Sequence, residues 1–251
     1  TDFVTGEKGS LKHLIKISTG KDVEFVSDSS SELDSLKNEI PFNPAGCVEK
    51  LFPSYGFYLK KGISKETLET FSGGFCQGGK MYKRFVFPVI NPDGSLVGYA
   101  GRAIVDNPLK WKNIGATRKW LYPLKWSENY IKESREVILI ESIGNMLALW
   151  ECGYRNTIVC FGTNLSKSVL SELIRLNPSR IILGMDNDDN EMNPGQKAAS
   201  SHEKELIKWF DKSKICRKLP PPGVDISSLF EKQGKTAIDD WYKNQSMGQL
   251  Q

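Results

Sequence analysis

Three carboxylates stand where short apolar runs end. Glu141 closes Val137-Ile138-Leu139-Ile140, and Asp186 and Asp188 follow Ile181-Ile182-Leu183-Gly184-Met185. Asp225 comes after the strand-like Ile215 to Leu219 and a Pro220-Pro221-Pro222-Gly223 turn, within reach of the same place. Carboxylates gathered at one point repel and raise one another's pKa unless a cation neutralises them. Hard oxygen donors with room for water suit Mg²⁺ or Mn²⁺, and a pair of such ions stabilises both the attacking and the leaving oxygen of phosphoryl transfer. The plainer alternative is that Asp186 to Asn190 is a polar loop or helix cap. A calcium loop is another candidate for this run, against which stand the lack of a glycine where that motif needs one and of a closing glutamate.

Those carboxylates can meet only if the elements behind them align. The apolar runs at 137–140, 157–161 and 181–185 alternate with helical patterns at 143–152, 166–177 and 196–211, and a short strand at 214–219 completes the series. Strands alternating with helices of this length predict a parallel sheet with helices on both faces, so its carboxyl ends share one rim. Upstream, a helical stretch at 65–71 precedes two strand-like runs at 84–90 and 95–101. The turn Asn91-Pro92-Asp93-Gly94 joins them, which predicts a hairpin. The chain therefore divides into an amino-terminal helix and linker (1–53) with no core of its own, a smaller α+β segment (54–130), the α/β segment (131–225) and a helical carboxyl-terminal segment (226–251).

Charge is distributed unevenly along the 251 residues. Residues 1–53 carry 6 Lys and Arg against 9 Asp and Glu, residues 54–130 carry 12 against 5, and residues 131–251 carry 16 against 16. A net charge of +4 alone claims no nucleic acid, but a basic segment beside concentrated carboxylates suits a protein that holds a polyanion next to metal ions. The competing explanation is a solvated lysine-rich face. Trp111, Trp120, Tyr122, Trp126 and Tyr130 are interleaved with Lys110, Lys112, Arg118, Lys119 and Lys125, a mix that can stack unpaired bases. Most of these aromatics are expected in the core between segments. Five scattered cysteines form no CxxC pair and are expected as reduced core thiols. His13 and His202, the only histidines, are expected on helix surfaces. Gly162-Thr163-Asn164 could cap a helix or touch phosphate, without the context of a P-loop. No apolar run reaches the roughly 20 residues of a membrane span, and the chain is read as soluble and intracellular.

The order Glu141-Ser142-Ile143-Gly144-Asn145, then Gly162-Thr163, then Asp186-Asn187-Asp188 and Gly195-Gln196-Lys197-Ala198-Ala199 resembles the Toprim domain shared by primases, topoisomerases and some nucleases. The neighbouring segments resemble the core of DnaG-type primases in particular: Tyr58 to Leu68 with Phe71 and Gly74-Phe75, Arg84 to Val89, Gly94 to Arg102, Lys110-Trp111-Lys112-Asn113, and Asp225 to Leu229 with Gly234-Lys235. The likeness spans roughly residues 55 to 240. It departs from the family pattern at Asn145, which replaces an aspartate, at Ser142, which replaces a glycine, and at Ser227, which replaces a late acid.

The resemblance implies an α/β fold, a Toprim-type parallel sheet flanked by helices and preceded by the smaller basic subdomain. It implies that Glu141, Asp186 and Asp188 act in catalysis and, with Asp225, hold Mg²⁺ or Mn²⁺. Arg84, Arg102, Lys110 and Asn113, with Lys83 and Lys112 beside them, would line the groove for template and nucleotide. The implied activity is template-directed synthesis of RNA primers on single-stranded DNA from ribonucleoside triphosphates, in the cytoplasm at the replication fork, with a replicative helicase as partner in cis or in trans. The alternatives are a non-catalytic single-strand-binding module of a replicative helicase and a Toprim nuclease. Such primases usually also carry an amino-terminal zinc module and a helicase-interacting or helicase domain at the other end. The start at Thr1 leads to the expectation of a trimmed or processed chain.

Overall fold

The computed structural model describes residues 42–187 and 194–243. Two sheets lie within this region. The first is antiparallel, with strands in sequence order: β1 (Leu51–Phe52), β2 (Gly74–Cys76), β3 (Arg84–Ile90), β4 (Leu96–Ala103) and β5 (Trp111–Gly115). Between β1 and β2 lie a one-turn helix α1 (Gly56–Leu59) and α2 (Lys65–Thr70), whose first turn is capped by Ser64 accepting from the Thr67 N–H at 3.2 Å. The β3–β4 hairpin forms where its turn residues predict it. Gly94, at φ 86°, donates to the Asn91 carbonyl, and the Asp93 carboxylate accepts from the Ser95 N–H at 2.9 Å.

The second sheet comprises β6 (Glu136–Ile140), β7 (Thr157–Val159), β8 (Arg180–Leu183) and β9 (Ile215–Arg217), all parallel, in the order β7-β6-β8-β9. Its helices are α3 (Leu124–Ser134), which leads in, α4 (Ile143–Glu151), α5 (Lys167–Leu176) and α6 (Pro194–Leu206), followed by α7 (Ile226–Lys243), which is kinked at Gly234. The first strand in sequence is interior, so the chain moves one way to β7 and the other way to β8. Right-handed crossovers then put α4 and α5 on opposite faces.

Burial follows that geometry. Ile138, Ile140 and Ile182 pack in one core with Met146 and Leu149 of α4 and Ile226 and Trp241 of the last helix. Val137, Leu139, Ile181 and Leu183 point the other way, into a second core with Val169 and Leu173 of α5 and Leu206 of α6. The first core also contains Phe85, Phe87 and Ala100 of the antiparallel sheet, so both sheets share it. Trp120 and Tyr122 are buried there as expected, whereas Tyr130 is exposed. Among the described residues no helix is long and apolar enough to cross a membrane.

The structure adds to the sequence reading at several points and departs from it at others. The antiparallel sheet already begins at Leu51, because β1, only two residues long, pairs with β2 along one edge. Residues 226–243 pack into the shared core through Ile226, Leu229, Ile238 and Trp241. The helix after β7 is capped by Ser166, which accepts from the Val169 N–H, and not by Gly162-Thr163. All five cysteines are free and four are buried, in keeping with the expectation of reduced core thiols. His13 and the rest of residues 1–41 lie outside the described residues.

His202 is not on a helix surface. It is 0% exposed on α6, on the same face as Ala198, Ala199 and Leu206, and neither ring nitrogen has a hydrogen-bond partner among the described residues. Burial lowers its pKa from 6.5 to about 4. The unfolded chain therefore binds this proton more readily between those values, and stability is retained above pH 6.5 and lost as the pH falls towards 4. Urea denaturation of the wild type at pH 7 and pH 5 is expected to show a loss of about 2 kcal/mol from this group, which His202→Leu removes. Equal pH dependence in the two proteins would refute the assignment.

Candidate active site at the carboxyl rim of the parallel sheet

Strands β6 and β8 are neighbours, with Leu139 in register with Leu183, so the segments that follow them leave the sheet side by side. Their helices turn to opposite faces, which opens a crevice at the rim between them. A cavity of 520 Å³ lies there. Its acidic wall carries Glu141, Asp186 and Asp225, and its opposite wall carries Arg102, Lys110, Asn113 and Lys61, with Tyr58 and Trp111 beside them.

Each acidic group is held by its own element. Ser142 caps α4 by accepting from the Asn145 N–H at 3.2 Å, which fixes the exit from Glu141. The charge of Glu141, added to burial, pushes the Cys160 thiol up to about 12. Burial is the larger cause. Asp225 caps α7, accepting from the Ser228 N–H at 2.5 Å. Asp186 is held from two sides. Asn145 Nδ2 donates to its Oδ1 at 2.7 Å, and Gly195 approaches its backbone so closely that a Cβ there would stand 2.0 Å from the Asp186 carbonyl oxygen. Asn187 ties the following loop down. It donates to the Pro220 carbonyl at 2.7 Å, accepts from Gln196 at 2.7 Å and bridges to Val224.

The basic wall follows from strand parity. Arg102 is paired with Trp111, and Ala100 with Asn113, so these four share one face of β4 and β5, and the Arg102 guanidinium lies 5.9 Å from the Trp111 ring centre. Lys112 is paired with Gly101, on the other face, and its amine donates to the Lys80 carbonyl at 2.7 Å. Arg84 also points away from the cavity, since its neighbour Phe85 is the partner of Arg102. It is 6% exposed, and its guanidinium donates to the carbonyls of Gly101, Leu109 and Lys110 at 3.1, 2.9 and 3.2 Å. Arg84 thus shapes the segment that presents Lys110, and does not line the cavity. Lys83 is exposed outside the cavity, with its amine over the Tyr82 ring. Tyr58, behind Arg102, is buried with no hydrogen-bond partner for its hydroxyl among the described residues. Burial raises its pKa, and the Arg102 charge partly offsets the rise.

The cavity therefore brings together Glu141, Asp186, Asp225, Arg102, Lys110 and Asn113, and leaves out Arg84, Lys83 and Lys112. Asp188 lies outside the described residues. Among the described residues no three acidic, histidine or cysteine side chains gather closely enough to share one ion. The donor set is nonetheless all oxygen, and a Mg²⁺ site commonly uses one or two carboxylates and completes its shell with water and substrate phosphates. Sequence reasoning missed Asn145 as a site residue. The signal was its position three residues after a Ser N-cap, directly behind the acidic strand end.

A Toprim-like family model matches residues 138–229. The DNA primase of Borreliella burgdorferi is 30% identical over 205 residues, which covers 78% of this chain and 37% of that protein. The DNA primase of Helicobacter pylori strain J99 is 26% identical over 197 residues, covering 74% and 34%. The chain thus spans only about a third of the length of these relatives. Among solved structures, the zinc-binding and RNA polymerase domains of the Aquifex aeolicus primase superpose with a TM-score of 0.65 at 20% identity, covering 91% of this chain and 65% of that one. A DnaG primase catalytic domain bound to single-stranded DNA gives 0.64 at 20% identity, covering 76% and 70%. These likenesses bear out the expected fold.

Gly195→Ala tests the packing behind Asp186. The added methyl meets backbone and not a yielding side chain, so a stability loss of about 1–3 kcal/mol in urea denaturation is expected. Gly144→Ala, whose new Cβ would meet nothing nearer than 3.6 Å, is expected to lose none. Equal stabilities for the two variants would show that the Gly195 contact does not constrain Asp186.

Proposed function

We propose that this chain, whose Toprim-like segment and fold are similar to those of DnaG-type DNA primases, is a polymerising core that joins ribonucleotides on a single-stranded DNA template. The observation that carries this reading is the cavity in which Glu141, Asp186 and Asp225 face Arg102, Lys110 and Asn113. In the reaction the 3′ hydroxyl of the growing primer attacks the α-phosphate of a ribonucleoside triphosphate, and pyrophosphate leaves.

Glu141 and Asp186, with Asp188 beyond them in the sequence and Asp225 on the rim, would hold Mg²⁺ or Mn²⁺. Such ions, when bound, favour the ionised hydroxyl and neutralise the phosphate oxygens. Arg102 offers a planar fork to the triphosphate, and Lys110 a mobile point charge. Trp111 and Phe161 supply apolar walls against which a base can rest. Template would run along the basic face of the antiparallel sheet, with Lys83 and Lys112 as peripheral phosphate contacts. Arg84 contributes by holding the Lys110 segment. A primase core works beside a replicative helicase, in cis or in trans, at the replication fork in the cytoplasm, and that is the partner and place this reading assigns.

The test is extension of a preformed RNA primer on single-stranded DNA with ribonucleotides and Mg²⁺ or Mn²⁺. Glu141→Gln and Asp186→Asn are expected to lose about 10²-fold or more in rate while retaining single-strand binding. Arg102→Ala is expected to raise the nucleotide concentration needed. Extension by Asp186→Asn at the wild-type rate would overturn the reading. Tight single-strand binding by a wild type that makes no product would instead make this a binding module, and metal-dependent DNA cleavage would make it a nuclease.

A further inference from the structure

Asn145 is 0% exposed, yet both ends of its amide are used across three elements. Its Nδ2 donates to Asp186 Oδ1 at 2.7 Å, and its Oδ1 accepts from the Ser227 N–H at 3.1 Å. Both partners fix the amide's orientation, since a carboxylate only accepts and a backbone N–H only donates. Its own N–H is bound by Ser142 Oγ, so the side chain springs from the capped first turn of α4. One neutral group thus links the Glu141–Ser142 exit, Asp186, and the start of the helix that Asp225 caps.

We propose that Asn145 is a positioning residue: an uncharged strut that fixes the Asp186 carboxylate for a divalent cation before the cation binds. This rests on the metal-dependent reading above and deepens it. A carboxylate is soft about its side-chain torsion, and a buried, charge-assisted hydrogen bond to one oxygen locks that torsion. Because the donor is an amide, it orients Asp186 without adding negative charge to a rim that already carries Glu141 and Asp225. An aspartate at 145 could still accept from the Ser227 N–H, but it would set a like charge against Asp186 and need a cation to relieve it.

That asymmetry gives the test, in which Mn²⁺ alone is titrated into the free protein and followed by electron paramagnetic resonance, with thermal unfolding measured with and without Mn²⁺. Asn145→Ala is expected to weaken Mn²⁺ binding by about tenfold or more. Asn145→Asp, which is isosteric and keeps the bond to Ser227, is expected to lower Tm without Mn²⁺ and regain it with Mn²⁺, a larger metal-induced rise than in the wild type. If Asn145 merely anchors the last helix, both variants will lose the same Tm with and without Mn²⁺ and bind it as the wild type does, and the proposal falls. Asp186→Asn separates the two levels. Binding lost there but unchanged in both Asn145 variants overturns the strut alone, whereas a wild type that binds no Mn²⁺ overturns both the strut and the metal-dependent reading.

Discussion

Two like charges just beyond the ends of adjacent parallel strands set the terms for this fold. Because β6 and β8 are neighbours and run the same way, Glu141 and Asp186 must leave the sheet at one edge, and the crossover order opens the crevice between them. What surrounds them reduces the cost of that placement. The amino ends of α4, α6 and α7 all reach this rim: Ser142 caps the first, Gly195 of the second lies against the Asp186 carbonyl, and Asp225 caps the third. Helix amino ends carry partial positive charge and unsatisfied N–H groups, which favour carboxylates and phosphates alike. The same arrangement that makes the acidic rim tolerable makes it receptive to a polyanion.

The facing wall depends on the core that the sheets share. Phe85, Phe87 and Ala100 pack with Ile138, Ile140 and Ile182, so the face of β4 and β5 that carries Arg102 and Asn113 is the face turned towards the parallel sheet. Polar ties add to this: Glu151 of α4 accepts from both the N–H and the hydroxyl of Ser64, at 2.8 and 2.7 Å, and Lys61 pairs with Glu231 of α7. Within a close-packed interior these contacts leave little freedom for the walls to slide.

Much of this was legible from the residues. Alternating apolar runs and helical patterns located the four parallel strands, and Asn91-Pro92-Asp93-Gly94 located the hairpin, because in each case the signal is local. Strand ends then carried Glu141 and Asp186 to one rim by topology alone. Arg84 was beyond such reading, since the face it takes depends on its register with β4, which only the paired strand supplies. β1 was hidden for the same reason, two residues being too short to show a period. His202 was readable but misjudged. Its spacing from Ala198, Ala199 and Leu206 places it on the buried stripe of α6, and its polarity argued wrongly for the surface. Asn145 was noticed as a departure from a pattern, while its hydrogen bonds to Asp186 and Ser227 join residues far apart in the chain.

A rim built this way has a consequence for how ligands bind. Carboxylates that are too few, among the described residues, to enclose an ion leave most of a Mg²⁺ shell to water and to substrate phosphates. On the reading proposed here, cation and nucleotide each supply what the other lacks, so the affinity of one rises with the concentration of the other, reciprocally. Arg102 and Lys110 act on the triphosphate end of that coupling, and the Asn145–Asp186 bond acts on the cation end. Neutral scaffolding at the acidic wall and charged, more mobile groups at the basic wall then serve different steps. The first keeps an oxygen aimed while the site awaits its ligands, and the second adapts to a phosphate chain as it arrives.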